Sequence, residues 1–235
     1  MYGLFVTGTD TGVGKTLAAQ GLVLALRGQG LRVAPFKPVA SGCRITAEGL
    51  RNEDAEALLA AAGGGFPYEL VNPFAFAPVI APHLAARQAG RPICLDRIAD
   101  AYRQLARAAE VAVVEGAGGW RVPLDERTSM AAIAQRLGLD VILVVGVRLG
   151  CLSHALLTVE AVQADGLRLA GWIANLIDPA DPLAEAQVED LRARLPAPLL
   201  GTLPWTASDR AALVAAEILG KSLASFLPKR SPEGA

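Results

Sequence analysis

Short apolar runs alternate with longer stretches in which apolar residues recur every three or four positions. The runs at 4–7, 32–36, 111–115, 141–145, 169–174 and 198–203 are rich in Val, Ile, Leu and Ala. Their near-continuous apolar character predicts strands buried on both faces. Between them the period changes. Residues 17–28 form a helical pattern without proline; Ile98, Tyr102, Leu105 and Ala109 share one helical face. Met130, Ile133, Ala134 and Leu137 share another, behind an expected cap at Thr128 or Ser129. A helix through Leu58 and Leu59 is expected to open near Asp54, and one over 155–164 to be capped by Ser153. Strands alternating with helices predict an α/β fold, a doubly wound and mainly parallel sheet covered on both faces as a three-layer sandwich. The long stretch 38–110 reads as an elaborated crossover. One domain over 1–227 and a flexible tail over 228–235 are expected.

In such a sheet, ligands bind beyond the carboxyl ends of the strands. Six strand ends carry polar or glycine-rich residues there. The first is followed by Gly8-Thr9-Asp10-Thr11-Gly12-Val13-Gly14-Lys15-Thr16 and then a helix. A strand, a glycine-bearing loop ending Gly-Lys-Thr and a helix form the P-loop context, in which backbone N–H groups receive polyphosphate. The first glycine of the usual spacing would fall at Thr9 and stands instead at Gly8. Lys15 supplies a point charge for the phosphates, and the Thr16 hydroxyl is a ligand for Mg²⁺.

Three further residues fit this centre. Glu115 ends an apolar strand, as a metal-holding carboxylate would, with Gly116, Ala117 and Gly118 behind it. Asp54 offers a second hard oxygen ligand, although a carboxylate in a first helical turn is also favourable for the helix dipole alone. Lys37 lies at a strand end between Pro35 and Pro38, placed to stabilise negative charge on a phosphoryl or carboxylate group. Arginines number eighteen and lysines four, so a lysine in an interior-looking segment stands out. Gly150-Cys151-Leu152-Ser153 precedes a helix whose exposed N–H groups suit a carboxylate, and an ordinary capped helix fits the same residues equally well. Trp205, taken alone, reads as core filler, and His83 and His154 as structural.

Bulk properties narrow the field. The net charge of −1 excludes a strong field toward nucleic acid or acidic membranes. No apolar run reaches a membrane span, and the chain enters its first strand at once, so no signal peptide is expected. Cys43, Cys94 and Cys151 are distant and odd in number, which suits a reducing cytoplasm and lacks metal-ligand spacing.

Taken together, the P-loop, Lys37-Pro38-Val39-Ala40-Ser41-Gly42, Glu48-Gly49-Leu50-Arg51-Asn52-Glu53-Asp54, Glu115-Gly116-Ala117-Gly118-Gly119 and Gly146-Val147-Arg148-Leu149-Gly150-Cys151 resemble the dethiobiotin synthetase family. The likeness continues through Ala170-Gly171-Trp172-Ile173-Ala174-Asn175 and Pro196-Ala197-Pro198-Leu199-Leu200-Gly201. It implies an ATP-dependent cyclo-ligase of biotin synthesis in the cytoplasm, acting on 7,8-diaminononanoate and CO₂. The products would be dethiobiotin, ADP and phosphate, formed through a carbamate and a carbamic–phosphoric anhydride. By position, Thr16, Asp54 and Glu115 would hold Mg²⁺. Gly12, Val13, Gly14, Lys15, Thr16 and Leu17 would cradle phosphates, with Asp54, Glu115, Gly116, Ala117 and Gly118 beside them. Lys37, Lys15 and Thr11 would serve catalysis. Asn175, Pro204, Trp205 and Thr206 would contact adenine. Ser41 would bind the diamine, and Leu149, Gly150, Cys151, Leu152 and Ser153 its carboxylate tail, across a homodimer interface. Gly12 stands where some members have Glu, and Asp209 is the nearest candidate for an acidic nucleotide contact.

Two other readings of a P-loop chain are weaker here. Partitioning-type ATPases carry a signature lysine early in the loop, where this chain has Asp10. A GTPase would need Asn-Lys-x-Asp, whereas Asn175-Leu176-Ile177-Asp178 has leucine at the lysine place.

Overall fold

A computed structural model describes residues 1–207 and 210–223. Among them, β1 (Tyr2–Gly8), β2 (Val33–Phe36), β7 (Val111–Gly119), β8 (Asp140–Val147), β9 (Leu169–Leu176) and β10 (Leu199–Leu203) form one sheet in the order β10-β9-β8-β1-β7-β2. Every pairing in it is parallel. From β1 the chain crosses to the β2 edge, returns through β7 and then builds outward through β8. The direction of winding therefore reverses around β1, and the crevice at its carboxyl end is where this topology leaves room for a ligand.

Alternate residues of the strands face opposite layers. Leu4, Val6, Ile142 and Val144 pack against α1 (Lys15–Gly28) and α9 (Ala211–Gly220). Phe5, Ala112, Val114 and Val141 face the other way, toward α4 (Pro82–Gln88), α5 (Leu95–Ala106) and α6 (Ala131–Leu137). Leu143 and Val145 extend that second face under α7 (Cys151–Ala164) and α8 (Ala184–Arg194). The core strands are thus covered on both sides, which explains their unbroken apolar sequence.

The crossover holds two small sheets, β3 (Val39–Ala40) with β6 (Phe74–Ala75) and β4 (Arg44–Thr46) with β5 (Gly49–Arg51). It also holds α2 (Glu53–Ala61) and the short α3 (Tyr68–Val71).

The expected caps require correction. Thr128 Oγ1 donates to Asp125 Oδ2 at 2.7 Å and is spent on that turn; Met130 occupies the position before α6. Ser153 lies inside α7, which begins at Cys151 because Gly150, with φ 93°, starts the helix without a side-chain cap. Trp205 is 52% exposed and fills no core. The expected tail over 228–235 and the contact expected of Asp209 fall outside the described residues. No helix among those described is long and apolar enough to cross a membrane.

Candidate active site

The P-loop follows β1 directly. A Cβ at Gly8 would lie 2.6 Å from Val13 Cγ2 and 3.0 Å from the Asp10 carbonyl, so the loop closes tightly over this glycine and accounts for its shifted place. Gly14 adopts φ 91° at the entry to α1, against Asn175, whose Nδ2 donates to the Val13 carbonyl at 3.0 Å. Asn175 at the end of β9 therefore braces the loop from behind. Lys15 Nζ donates to the Asp10 carbonyl at 2.8 Å, and Arg148 pairs with Asp10 Oδ2 at 2.8 Å.

Three segments bring their side chains to this loop. Glu115 sits midway along β7, which runs on to Gly119 past the end expected from sequence, and Lys37 directly follows β2. The N-terminus of α2 carries Asp54, behind an Asn52 cap that accepts the Ala55 N–H. Lys37 Nζ lies 2.6 Å from Glu115 Oε1 and 2.8 Å from Asp54 Oδ2. Thr16 Oγ1 is 2.9 Å from Asp54 Oδ1 and 2.9 Å from Glu115 Oε1. Lys37 and Glu115 are almost fully buried, at 2% and 1% exposure.

Burial and charge oppose each other in this cluster. Burial alone would lower Lys37, but Glu115 and Asp54 outweigh it and hold the ammonium above the ordinary lysine range. Burial raises Glu115 despite the pull of Lys37. For Asp54 burial is overcome, and Lys37, Thr16 and Lys15 hold the carboxyl below its ordinary value. Lys15 is lowered to about 8, first by burial and then by repulsion from Lys37.

The donor set suits a hard divalent cation. One Thr16 hydroxyl proton faces two carboxylate oxygens. Glu115 Oε2, buried, has no hydrogen-bond partner among the described residues. An excess of buried acceptors of this kind is costly unless a cation satisfies it. Two carboxylates and a threonine hydroxyl beside a phosphate cradle fit Mg²⁺, which keeps waters and phosphate oxygens for its other positions.

A cavity of about 710 Å³ opens over these groups. It is lined by Thr11, Gly12, Gly14, Lys15, Thr16, Lys37, Ser41, Asp54, Glu115, Ala117 and Gly118, all expected from sequence. Its far wall is Val79, Ile80, Ala81 and Pro82, an apolar surface that sequence reasoning passed over. Asn52 was also missed as a cap, although an asparagine directly before Glu53-Asp54 is a readable cap signal. The turn from Leu149 to Ser153, together with Asn175 and Pro204 to Thr206, does not line the cavity. Leu149 is 96% exposed, whereas Cys151 is buried and 3.3 Å from Gln187 Oε1, a packing position.

A family model described as an AAA domain matches residues 2–210. The chain is 55% identical over 219 residues to the ATP-dependent dethiobiotin synthetase BioD of Pseudomonas paraeruginosa, covering 93% of this chain and 96% of that one. It is 52% identical over 200 residues to the enzyme of the same name from Cellvibrio japonicus, covering 85% and 88%. Among solved structures, the MinC:MinD cell division complex of Aquifex aeolicus superposes with a TM-score of 0.62 at 16% identity, over 98% of this chain and 99% of that one, a likeness of fold alone. A P-loop, two carboxylates and a buried lysine in one cavity, together with relatives of this identity and coverage, place the chain in the ATP-dependent dethiobiotin synthetase family.

Proposed function

We propose that this site closes a cyclic urea from a 7,8-diamine and CO₂ at the expense of ATP, as an ATP-dependent dethiobiotin synthetase. The observation that carries the proposal is Lys37 Nζ, held between Asp54 and Glu115 in the cavity that also contains Lys15. Cationic groups converge there on the place where phosphoryl charge must move.

The chemistry needs activation because an oxygen of a carbamate is a poor leaving group. One substrate amine adds to CO₂ and loses a proton, giving the carbamate. A carbamate oxygen attacks the γ-phosphorus, the bond to ADP breaks, and a carbamic–phosphoric anhydride forms. The second amine attacks the carbonyl carbon, phosphate departs with the C–O bond, and the nitrogen loses its proton to complete the ring. Lys37 would neutralise the carbamate and then the transferring phosphoryl group. Lys15 would hold the phosphate oxygens, with the loop N–H groups of Gly12 to Thr16 behind it. Thr16, Asp54 and Glu115 would hold Mg²⁺, which when bound supplies charge neutralisation across the phosphates.

Ser41, on the cavity wall, is assigned to the diamine, and the apolar wall from Val79 to Pro82 suits its alkyl chain. The Leu149 to Ser153 turn is assigned to the substrate carboxylate of a neighbouring copy. Its absence from the cavity of its own chain and the open face of Leu149 support a homodimer that completes the site. Asn175 and Pro204 to Thr206 are assigned to adenine, with the exposed Trp205 ring free to stack on a base. A cytoplasmic location is part of the same proposal, supported by three cysteines that are free.

The test is the dependence of ADP release on small molecules. ADP should form only when diamine and bicarbonate are both present. Turnover without either, stimulated by a protein or DNA partner, would reject the ligase in favour of a switch ATPase.

A further inference from the structure

Lys37 and Asp54 reach each other from separate segments of the crossover, and a third segment fixes the distance between those segments. The Lys37 N–H donates to the Val71 carbonyl at 2.8 Å. The Lys37 carbonyl accepts from Asn72 Nδ2 at 2.6 Å. Both backbone groups of the lysine are therefore held by the end of α3. Asn72 is 4% exposed, and its other side-chain atom, Oδ1, accepts from the Tyr68 hydroxyl at 3.2 Å. The same hydroxyl accepts the Asn52 N–H at 2.7 Å. Asn52 is the residue that caps α2, two positions before Asp54. The path closes on itself through the 2.8 Å contact of Lys37 Nζ with Asp54.

We propose that Tyr68 and Asn72 are positioning residues of the ligase reaction, which set the Lys37 ammonium against the Asp54 carboxylate by tying the end of β2 to the N-terminus of α2. Neither lines the cavity. The Asn72–Lys37 bond is buried and the two bonds of the Tyr68 hydroxyl are partly buried; they end on Asn52 and Asn72, residues only 8% and 4% exposed, so losing one member leaves a poorly solvated polar group. The four-residue α3 has too few turns to be held by its own helix energetics, so the buried Val71 and these hydrogen bonds fix it together. The inference rests on the roles given above to Lys37 and Asp54.

The decisive variant is Tyr68→Phe, which keeps the ring beneath Arg51 and removes only the hydroxyl. Turnover should fall about tenfold while the KM for ATP stays within about twofold, since the P-loop is untouched. The Mg²⁺ concentration for half-maximal activity should rise. A crystal structure of the variant should show Lys37 Nζ drawn beyond hydrogen-bond reach of Asp54. Leu105→Ala, a core truncation in α5, serves as a control of stability alone. It should lower the melting temperature at least as much and leave turnover near the parent value where both proteins are folded. An unchanged Lys37–Asp54 contact in the Tyr68→Phe crystal, or equal loss of turnover in both variants, would overturn the inference. Inactivity of the parent protein on the diamine would instead reject the proposed function, and the crystal comparison would still decide whether Tyr68 sets the contact.

Discussion

Lys37 Nζ and Glu115 Oε1 lie 2.6 Å apart with almost no solvent on either side. A buried pair of this kind contributes little net stability, because desolvation offsets most of the attraction. On the proposed reading, its value lies in the ammonium that would be released when the carboxylates turn to a metal. The Lys37→Gln variant should lose at least about a hundredfold in turnover while ATP affinity changes by no more than about threefold. Mg²⁺ should stabilise this variant more than the parent, since no ammonium then competes for Asp54 and Glu115. Steady-state kinetics, calorimetric ATP binding and melting curves with and without Mg²⁺ measure all three, and normal turnover would remove Lys37 from the mechanism.

Thr16 is the residue whose loss should distinguish metal binding from nucleotide binding. Its hydroxyl faces both carboxylates, and Thr16→Val deletes those contacts while preserving shape. Affinity for Mg-ATP should drop about tenfold or more, the scale of a lost hydrogen bond to a charged group, with metal-free ATP binding little changed. Equal loss with and without Mg²⁺ would argue that the hydroxyl supports the loop and not the cation.

Two glycines of the same loop should respond differently to the same change. A Cβ at Gly14 would lie 2.1 Å from Asn175 Nδ2, at a backbone φ of 91°. Gly14→Ala should cost about 2–3 kcal/mol, from overpacking added to left-handed strain. Gly12 also has positive φ, at 77°, but nothing lies within 4 Å of its would-be Cβ. Gly12→Ala should cost only about 1 kcal/mol. Urea midpoints compare the two directly.

Lys15 gives a pH signature. Burial lowers its pKa to about 8, below the ordinary lysine value of 10.5. Between those two values the unfolded chain binds more protons than the folded one, so this group makes stability rise with pH across that window. Bound phosphates favour the charged form, so nucleotide binding takes up a proton as pH passes 8. ATP affinity should therefore weaken above pH 8, approaching about tenfold per unit from this group. Calorimetry in buffers of different ionisation enthalpy counts the proton; none taken up at pH 9 would mean that Lys15 is already charged.

Much of the centre was legible before the structure, because the fold collects strand ends at one edge. The P-loop, Glu115 and Lys37 each follow an apolar run, and parallel topology makes those positions neighbours. Asp54 was harder to place, since its sequence setting suits a helix terminus equally well, and only its contacts with Lys37 and Thr16 bring it to the centre. Tyr68 opens a helix too short to show a period and Asn72 follows its end; besides each other, their partners are backbone groups of distant segments. Local pattern does not report such contacts. The misplaced caps have a related cause: Thr128 found a nearer partner in Asp125, and Gly150 began its helix by backbone conformation.

The most direct measurement is the fate of oxygen from bicarbonate. The protein is incubated with 7,8-diaminononanoate, ¹⁸O-labelled bicarbonate and Mg-ATP, and both products are examined by mass spectrometry. Phosphoryl transfer to a carbamate requires a cyclic urea together with phosphate that carries one labelled oxygen. A cyclic urea with unlabelled phosphate, or ADP and unlabelled phosphate with no urea, would contradict it.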